Sequence, residues 1–245
     1  MRNPLSVRIE NTASCNRLLT RLPPAARAQF VAACERVELA AGQVLLRAGQ
    51  RVTHAWFPLD AVLSVSLAAE ERRSIAVALV GREGMLGIPL LLDANQSEWV
   101  ATVARPGAAL RIEAAALRLQ LVTGSELEKR LRHYVLASIA QLARAVLCTH
   151  YHQVDQRLAR LLLMQHDRAP DEPLHVTHEM LAATLGARRA GVTRAAHVLQ
   201  LKQLIAYHRG VVTILDRDGL QRAACACYAA DCASYAALMR RHPAC

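Results

Sequence analysis

The stretch VTHEMLAATLGARRAGVTRAAHVLQLKQLI, Val176–Ile205, holds two helix-length runs divided by a glycine. Thr177 is a residue type that caps a helix, because its hydroxyl accepts from a free N–H of the first turn. Leu181, Ala182 and Leu185 fall on the inner face of a first helix. Gly186 follows where the chain must turn, and glycine tolerates the positive φ that a tight turn demands. Val192 and Ala195 mark the inner face of a second helix. Two helices crossing steeply need a small residue where they touch (Ala182) and an apolar anchor under the second (Val192). The spacing predicts a helix-turn-helix, with Arg188, Arg189, Ala190, Gly191, Thr193, Arg194 and His197 facing outward.

That outward face is unusual in its charge. From Met180 to Leu215, thirty-six residues carry five Lys or Arg and no Asp or Glu. A surface helix gains a few tenths of a kcal/mol from acids placed four residues from its bases, so stability alone does not exclude them. A surface that meets phosphates does. Gly191 costs about 1 kcal/mol in helix propensity, and on the outer face its missing side chain leaves room for close approach to a duplex.

Downstream, LIAYHRGVVTILDRDG reads as two short β runs around a hairpin tip at Tyr207–Gly210, which places Arg209 beside the second helix as a wing. Upstream, the linker HDRAPDEP (166–173) carries two prolines and three acids and separates the module from the helix before it. SELEKRLRHYVLASIAQLARAVLCTH (125–150) lacks Gly and Pro and predicts one long helix. Leu131, Val135, Ser138, Leu142, Ala145 and Thr149 make one stripe along it, and Leu136, Ile139, Ala143 and Val146 make a second. A helix apolar on two faces needs two partners. The economical pair is the preceding domain and a second copy of the chain; a helix wedged between two domains of a monomer is the alternative.

The first half reads differently. Between Leu39 and Ile112, GQVLLRAGQ, HAWFPLDAVLSVSLA, RRSIAVALVGREGMLG and WVATVARPGAALRI give short runs rich in Val, Leu, Ile and aromatics, bounded by Gly, Pro or Asp. This pattern predicts an antiparallel sandwich or jelly roll. Before it, LPPAARAQFVAACERVEL is expected to be a short helix with Phe30, Val31, Cys34 and Val37 on one side.

The totals set the outer bounds. The 245 residues suffice for two domains, and a formal charge of +10 favours an anionic partner. No run is apolar for long enough to span a bilayer, and the first residues lack the apolar core of a secretory signal, so no membrane partner and a cytoplasmic location are expected. Seven cysteines, an odd number at scattered spacing, are expected to be reduced. CACYAADC (225–232) spaces its thiols as Cys-x-Cys-x4-Cys rather than in the Cys-x2-Cys pairs of a zinc site, and packing is the expected role; His150, His152, His175 and His178 are expected to cap or solvate. No metal and no cofactor is expected.

The order of β domain, long helix and winged helix-turn-helix resembles the Crp/Fnr family of bacterial transcription regulators. GREGMLGIPLLL, the long helix, VTHEMLAATLGARRAGVTRAAHVLQLKQLI and YHRGVVTILDRDGL carry the resemblance. It implies an α+β protein: an N-terminal jelly roll like cyclic-nucleotide-binding domains (1–122), a long dimerisation helix (123–150) and a C-terminal winged helix-turn-helix (151–245). It also implies a homodimer joined through residues 125–149, double-stranded DNA with a palindromic site as ligand, and RNA polymerase as a further partner. The family's base-contacting positions fall on Arg189, Ala190 and Arg194, with Arg188, Gly191, His197 and Thr177 beside them and Arg209 on the wing. Many relatives carry a glutamate at the place of Ala190, so their half-sites are not expected here.

The resemblance also locates an effector pocket at Gly84, Met85, Leu86, Gly87, Ser97 and Glu98. Members that bind cyclic AMP hold its phosphate with an Arg-Ser or Arg-Thr pair, whereas this chain has Ser97-Glu98 and no arginine between Arg82 and Arg105. A carboxylate there repels the phosphate. Cyclic AMP in the usual mode is therefore not expected, and an unidentified effector and a filled core are left as equal readings. Two other classes stand beside the regulator: a basic scaffold for an acidic protein, and a cupin-like enzyme. The second needs several strand histidines around a metal, and the β region holds one, His54. No catalytic residues are expected.

Overall fold

The computed structural model describes residues 16–68, 74–168 and 173–240. The N-terminal stretch with Cys15, the middle of the linker (169–172) and Cys245 lie outside them. The chain divides into two compact units. The first comprises Met1–Ser66 and Ala78–Leu136, the second Leu67–Val77 and Ala137–Cys245.

In the N-terminal half of the chain, helices α1 (Arg17–Thr20) and α2 (Pro24–Ala32) precede seven strands. These are β1 (Glu35–Leu39), β2 (Val44–Leu46), β3 (His54–Pro58), β4 (Val62–Ala68), β5 (Ser74–Val80), β6 (Val100–Arg105) and β7 (Gly107–Glu113). They form two sheets, ordered β1-β7-β3 and β2-β6-β4-β5, and the pairings β1·β7, β3·β7, β2·β6 and β4·β6 are antiparallel. The expected jelly roll is present. Its core is made by inward-facing residues of the strands, with Phe57, Leu63, Ala101, Leu110 and Ile112 at 0–1% exposure and the Phe30 ring set edge-on to Phe57 at 5.1 Å.

Two local readings change. Helix α2 ends at Ala32, and Val37 lies not on that helix but in β1. The alternation in ERVEL suits a strand, and β7 supplies the partner: Glu35 stands opposite Arg111 and pairs with it at 2.5 Å. At the other end of the domain, Ala114–Gln120 forms a helix, α3, that the sequence pattern did not single out.

The segment GREGMLG is fastened on three sides. Trp56 and Leu86 exchange both backbone hydrogen bonds at 2.9 Å, and the Arg17 N–H donates to the Arg82 carbonyl. Asn16, fully buried, donates to the carbonyls of Pro58 and Gly84 at 2.9 and 3.0 Å and accepts from the Leu18 N–H.

The long helix, α4 (Glu126–Tyr151), starts where the sequence predicts. Ser125 Oγ accepts from the Glu128 N–H, and the Glu128 carboxylate accepts from the Gly124 N–H, so one free donor of the first turn and the N–H just ahead of the cap are satisfied. Its buried face differs in register from the expected stripe. Leu127, Leu131, Tyr134 and Ala137 are buried, whereas Val135, Ser138, Leu142 and Ala145 are half-buried and Thr149 is exposed. Tyr134 sets this register, because its ring lies over Gly84, the one residue type that leaves space for it. The second stripe is as expected in position and open: Leu136, Ile139 and Val146 are exposed at 52, 57 and 71%, and Leu147 joins them.

In the second unit follow α5 (Val154–Arg168), β8 (Leu174–His175), α6 (His178–Leu185), α7 (Arg189–Leu201), β9 (Ile205–His208), β10 (Val211–Ile214), α8 (Arg217–Ala223) and α9 (Cys227–Met239). The core here includes Leu158, Leu162 and Leu163 of α5 together with Leu181, Val192, Leu199 and Val212, all buried. No helix among the described residues is long and apolar enough to cross a membrane.

A Cβ at Gly84 would collide with the Tyr134 hydroxyl and ring. Gly84→Ala is expected to lower stability by about 1–3 kcal/mol, the usual cost of overpacking. In a Tyr134→Ala background the same substitution is expected to cost much less, so thermal melts of the four proteins of this cycle should be non-additive.

Candidate nucleic-acid interface

The helix-turn-helix is built by capping at both ends of α6. Thr177 Oγ1 accepts from the Met180 N–H at 3.2 Å. At the far end Gly186 adopts φ 57° and ψ 39°, and the Ala187 N–H donates to the Ala182 carbonyl at 3.0 Å. This left-handed cap reverses the chain within two residues. Arg188 then serves as the residue before α7 rather than as part of it, and its side chain makes no capping hydrogen bond.

Helix α7 divides cleanly into two faces. Val192, Ala195, Ala196 and Leu199 are buried, while Arg188, Arg189, Ala190, Thr193, Arg194 and His197 are exposed and Gly191 is half-buried. A Cβ added at Gly191 would meet nothing within 4 Å, so packing inside the chain does not require glycine there. No ion pair joins Arg188, Arg189, Arg194 or Arg209 to an acid among the described residues.

Beside α7, β9 and β10 form a hairpin with His208 opposite Val211, and β8 pairs with the outer side of β10. The turn is Arg209-Gly210, both at positive φ (47° and 83°). Two consecutive left-handed residues match the twist of a two-residue hairpin. Glycine reaches that geometry freely; the arginine is held in it by the pairing on either side, with its side chain exposed at the tip. The Val176 N–H donates to the Gly210 carbonyl at 2.8 Å and ties the wing to the entrance of α6.

His178 completes the surface, a residue for which the sequence suggested only capping or solvation. Its ring stacks on Tyr207 of the wing at 4.4 Å and 12°, and its Nδ1 shares a 3.0 Å hydrogen bond with Thr193 Oγ1 of α7. One side chain thus links α6, wing and second helix. Thr193 is exposed as expected, but its hydroxyl is engaged with His178. Desolvation, and then the charge of Arg189, hold the imidazole below its ordinary pKa. The sequence signal was weak because these contacts cross fifteen and twenty-nine positions of chain.

The effector positions are distributed through the first unit. Met85 and Leu86 are buried at 1 and 5% exposure, and a Cβ at Gly87 would press on the backbone of Ala55 at 3.1 Å. Ser97 is buried in its own turn, where its Oγ accepts from the Trp99 N–H and donates to the Trp99 carbonyl, while Glu98 is exposed. A polar pocket elsewhere in the unit is lined by Arg118, Glu128, Leu131 and Arg132 among others, and by none of these six. CACYAADC is not one group: Cys232 is exposed on α9, whereas Cys225 and Cys227 are buried near Cys148.

Comparison with known proteins agrees with this geometry. The model of the Crp-like helix-turn-helix domain matches residues 156–223, which span α5 through α8. The HTH-type transcriptional regulator Cmr of Mycobacterium tuberculosis is 23% identical over 184 residues, covering 75% of this chain and 74% of that protein. FixK2 from Bradyrhizobium japonicum shares the fold with a TM-score of 0.68 at 12% identity, over 79% of this chain and 98% of that one. A Crp/Fnr-family transcriptional regulator of Thermus thermophilus, TTHA1359, does so with a TM-score of 0.62 at 24% identity, over 78% and 98%.

Residues 156–223 are a Crp-like helix-turn-helix domain, and over three quarters of its length the chain is similar to transcription regulators of the Crp/Fnr type. That domain explains why the acid-free run coincides with α7 and the wing: both elements belong to it and present one surface.

The lowered His178 pKa has a definite sign. Because the folded state disfavours the imidazolium, this group's contribution is complete above the unfolded value of about 6.5 and is lost as pH falls through the lower folded value. Melting temperatures of the native chain and His178→Gln, measured from neutral pH down to mildly acidic pH, are expected to converge as pH falls.

Proposed function

We propose that this protein is a Crp/Fnr-type transcription regulator that acts in the cytoplasm as a homodimer without catalytic activity, reading a palindromic DNA site through the outer face of α7. The observation that carries the reading is the division of α7. Its apolar face is wholly used in seating the helix, and its other face offers Arg188, Arg189 and Arg194 with no acid in range of sequence to neutralise them. Arg189 and Arg194 are the base-reading residues. An arginine in the major groove donates two hydrogen bonds to O6 and N7 of guanine, worth about 1–3 kcal/mol of discrimination. Ala190 offers only a methyl group, which suits contact with a thymine methyl rather than acceptance from a base amino group. Thr177, Arg188, Gly191 and His197 lie where sugar and phosphate pass, and Arg209 holds the adjacent backbone from the wing.

The open stripe on α4 supports the dimer. Leu136, Ile139, Ala143, Val146 and Leu147 recur at the three-to-four spacing of a helix pair, and exposed apolar side chains in such a row call for a partner. A two-fold axis along this helix sets two half-sites about one helical turn, roughly 34 Å, apart. Cyclic AMP in the family's usual mode is not the effector in this reading, because Glu98 would bring a carboxylate to its phosphate. RNA polymerase is the partner through which a bound dimer would act.

Selection of binding sites from random duplexes is expected to return an inverted repeat; enrichment of none would refute the reading. Arg189→Ala and Arg194→Ala are expected to relax base preference at one position of each half-site. Arg209→Ala is expected to weaken binding on all sequences and reduce the salt slope by about 1. Ile139→Asp is expected to give a monomer by light scattering, with DNA affinity lowered at least tenfold.

A further inference from the structure

The last turn of α4 and the turn between α8 and α9 bring four potential metal ligands together. Cys148 and His152 lie four residues apart, and the His152 N–H donates to the Cys148 carbonyl at 3.1 Å, so both side chains leave the same side of a continuing helical turn. Facing them are Cys225, after the end of α8, and Cys227, the first residue of α9. Cys148 Sγ stands 3.5 Å from Cys225 Sγ, and Cys227 Sγ stands 3.6 Å from His152 Nδ1. All four ligand atoms lie within 4.8 Å of one another. The three thiols are 2–4% exposed and the imidazole is half-buried.

We propose that Cys148, His152, Cys225 and Cys227 form a Cys3His site for a zinc-class divalent cation. A tetrahedron with Zn–S near 2.3 Å and Zn–N near 2.0–2.1 Å has S···S edges of about 3.8 Å and S···N edges of about 3.6 Å. The two measured edges are close to these values. Four protein ligands make the site a closed, structural one. Three thiolates and a neutral imidazole around a dication leave one negative charge, and Arg160 is near enough for its charge to act on both Cys148 and Cys225. The Arg160 Nε is buried with no hydrogen-bond partner among the described residues, a donor suited to a sulfur ligand.

Cys232 takes no part, although it is the third thiol of the sequence cluster. A Cys148–Cys225 disulfide would use two of the four groups and leave the placement of Cys227 and His152 without a role. The bound ion would clip the end of the long helix to the α8–α9 turn, inside the unit that carries the helix-turn-helix. The site does not depend on the DNA-binding reading.

The test uses the full-length protein, reduced, stripped with a chelator, desalted and titrated with Co(II). The expected result is one equivalent per chain, with the intense visible bands of a tetrahedral site and thiolate-to-cobalt charge transfer in the near ultraviolet. Zn(II) should displace it, and metal should protect three thiols from a thiol reagent. Cys227→Ser and Cys148→Ser are expected to abolish the tetrahedral spectrum, and Cys34→Ser and Cys232→Ser to retain it. A weak octahedral spectrum, unprotected thiols in the native sequence, or a Cys148–Cys225 disulfide in protein that takes up no metal after reduction would overturn the proposal.

Discussion

A guanidinium removed from water must find acceptors, and Arg157 finds them on two helices at once. It is 9% exposed, donates to the carbonyl of Leu185 and approaches Thr149 Oγ1 at 3.4 Å. Leu185 is the last residue of α6, where a helix leaves carbonyls without partners. The arginine of α5 therefore secures the turn from which α7 departs, and also reaches the end of α4. The direction of α7 follows from this contact together with the left-handed Gly186.

The same unit uses its acids in a consistent way. Asp231 accepts from Arg144 at 2.6 Å and from Arg160 at 2.7 Å, which joins α4, α5 and α9 at one carboxylate. Asp167 accepts from Arg217 at 2.5 Å and from the Tyr228 hydroxyl at 2.8 Å. These pairs are partly shielded from water, where hydrogen-bonded ion pairs hold geometry better than exposed ones do. Asp167 and Asp231 are thus committed to the scaffold. The arginines of α7 and the wing remain uncompensated, and their field extends outward.

Much of this was legible in the chain. Thr177, Gly186, Val192 and Ala195 act locally, through capping, backbone conformation and burial at helical spacing, and a linear pattern records such effects directly. The open stripe on α4 was legible for the same reason. Its packed face was not: the periodicity of the helix admits neighbouring registers, and Tyr134 settling over Gly84, fifty positions away in sequence, selects one. Val37 was placed on a helix because a short apolar spacing fits both periods, and only pairing with β7 decides for the strand.

The sequence by itself determined the classes of element, the helix-turn-helix, its acid-free outer face and the wing, since each depends on interactions between residues a few positions apart. Tertiary structure alone decided what meets across long separations. It made His178 the link between α6, α7 and Tyr207, and it set Cys148 and His152 against Cys225 and Cys227. The Cys-x-Cys spacing gave no sign of a four-ligand cluster, because the other two ligands come from a helix seventy-odd residues earlier. Proximity of that kind is created by the packing of helices, and no local pattern encodes it.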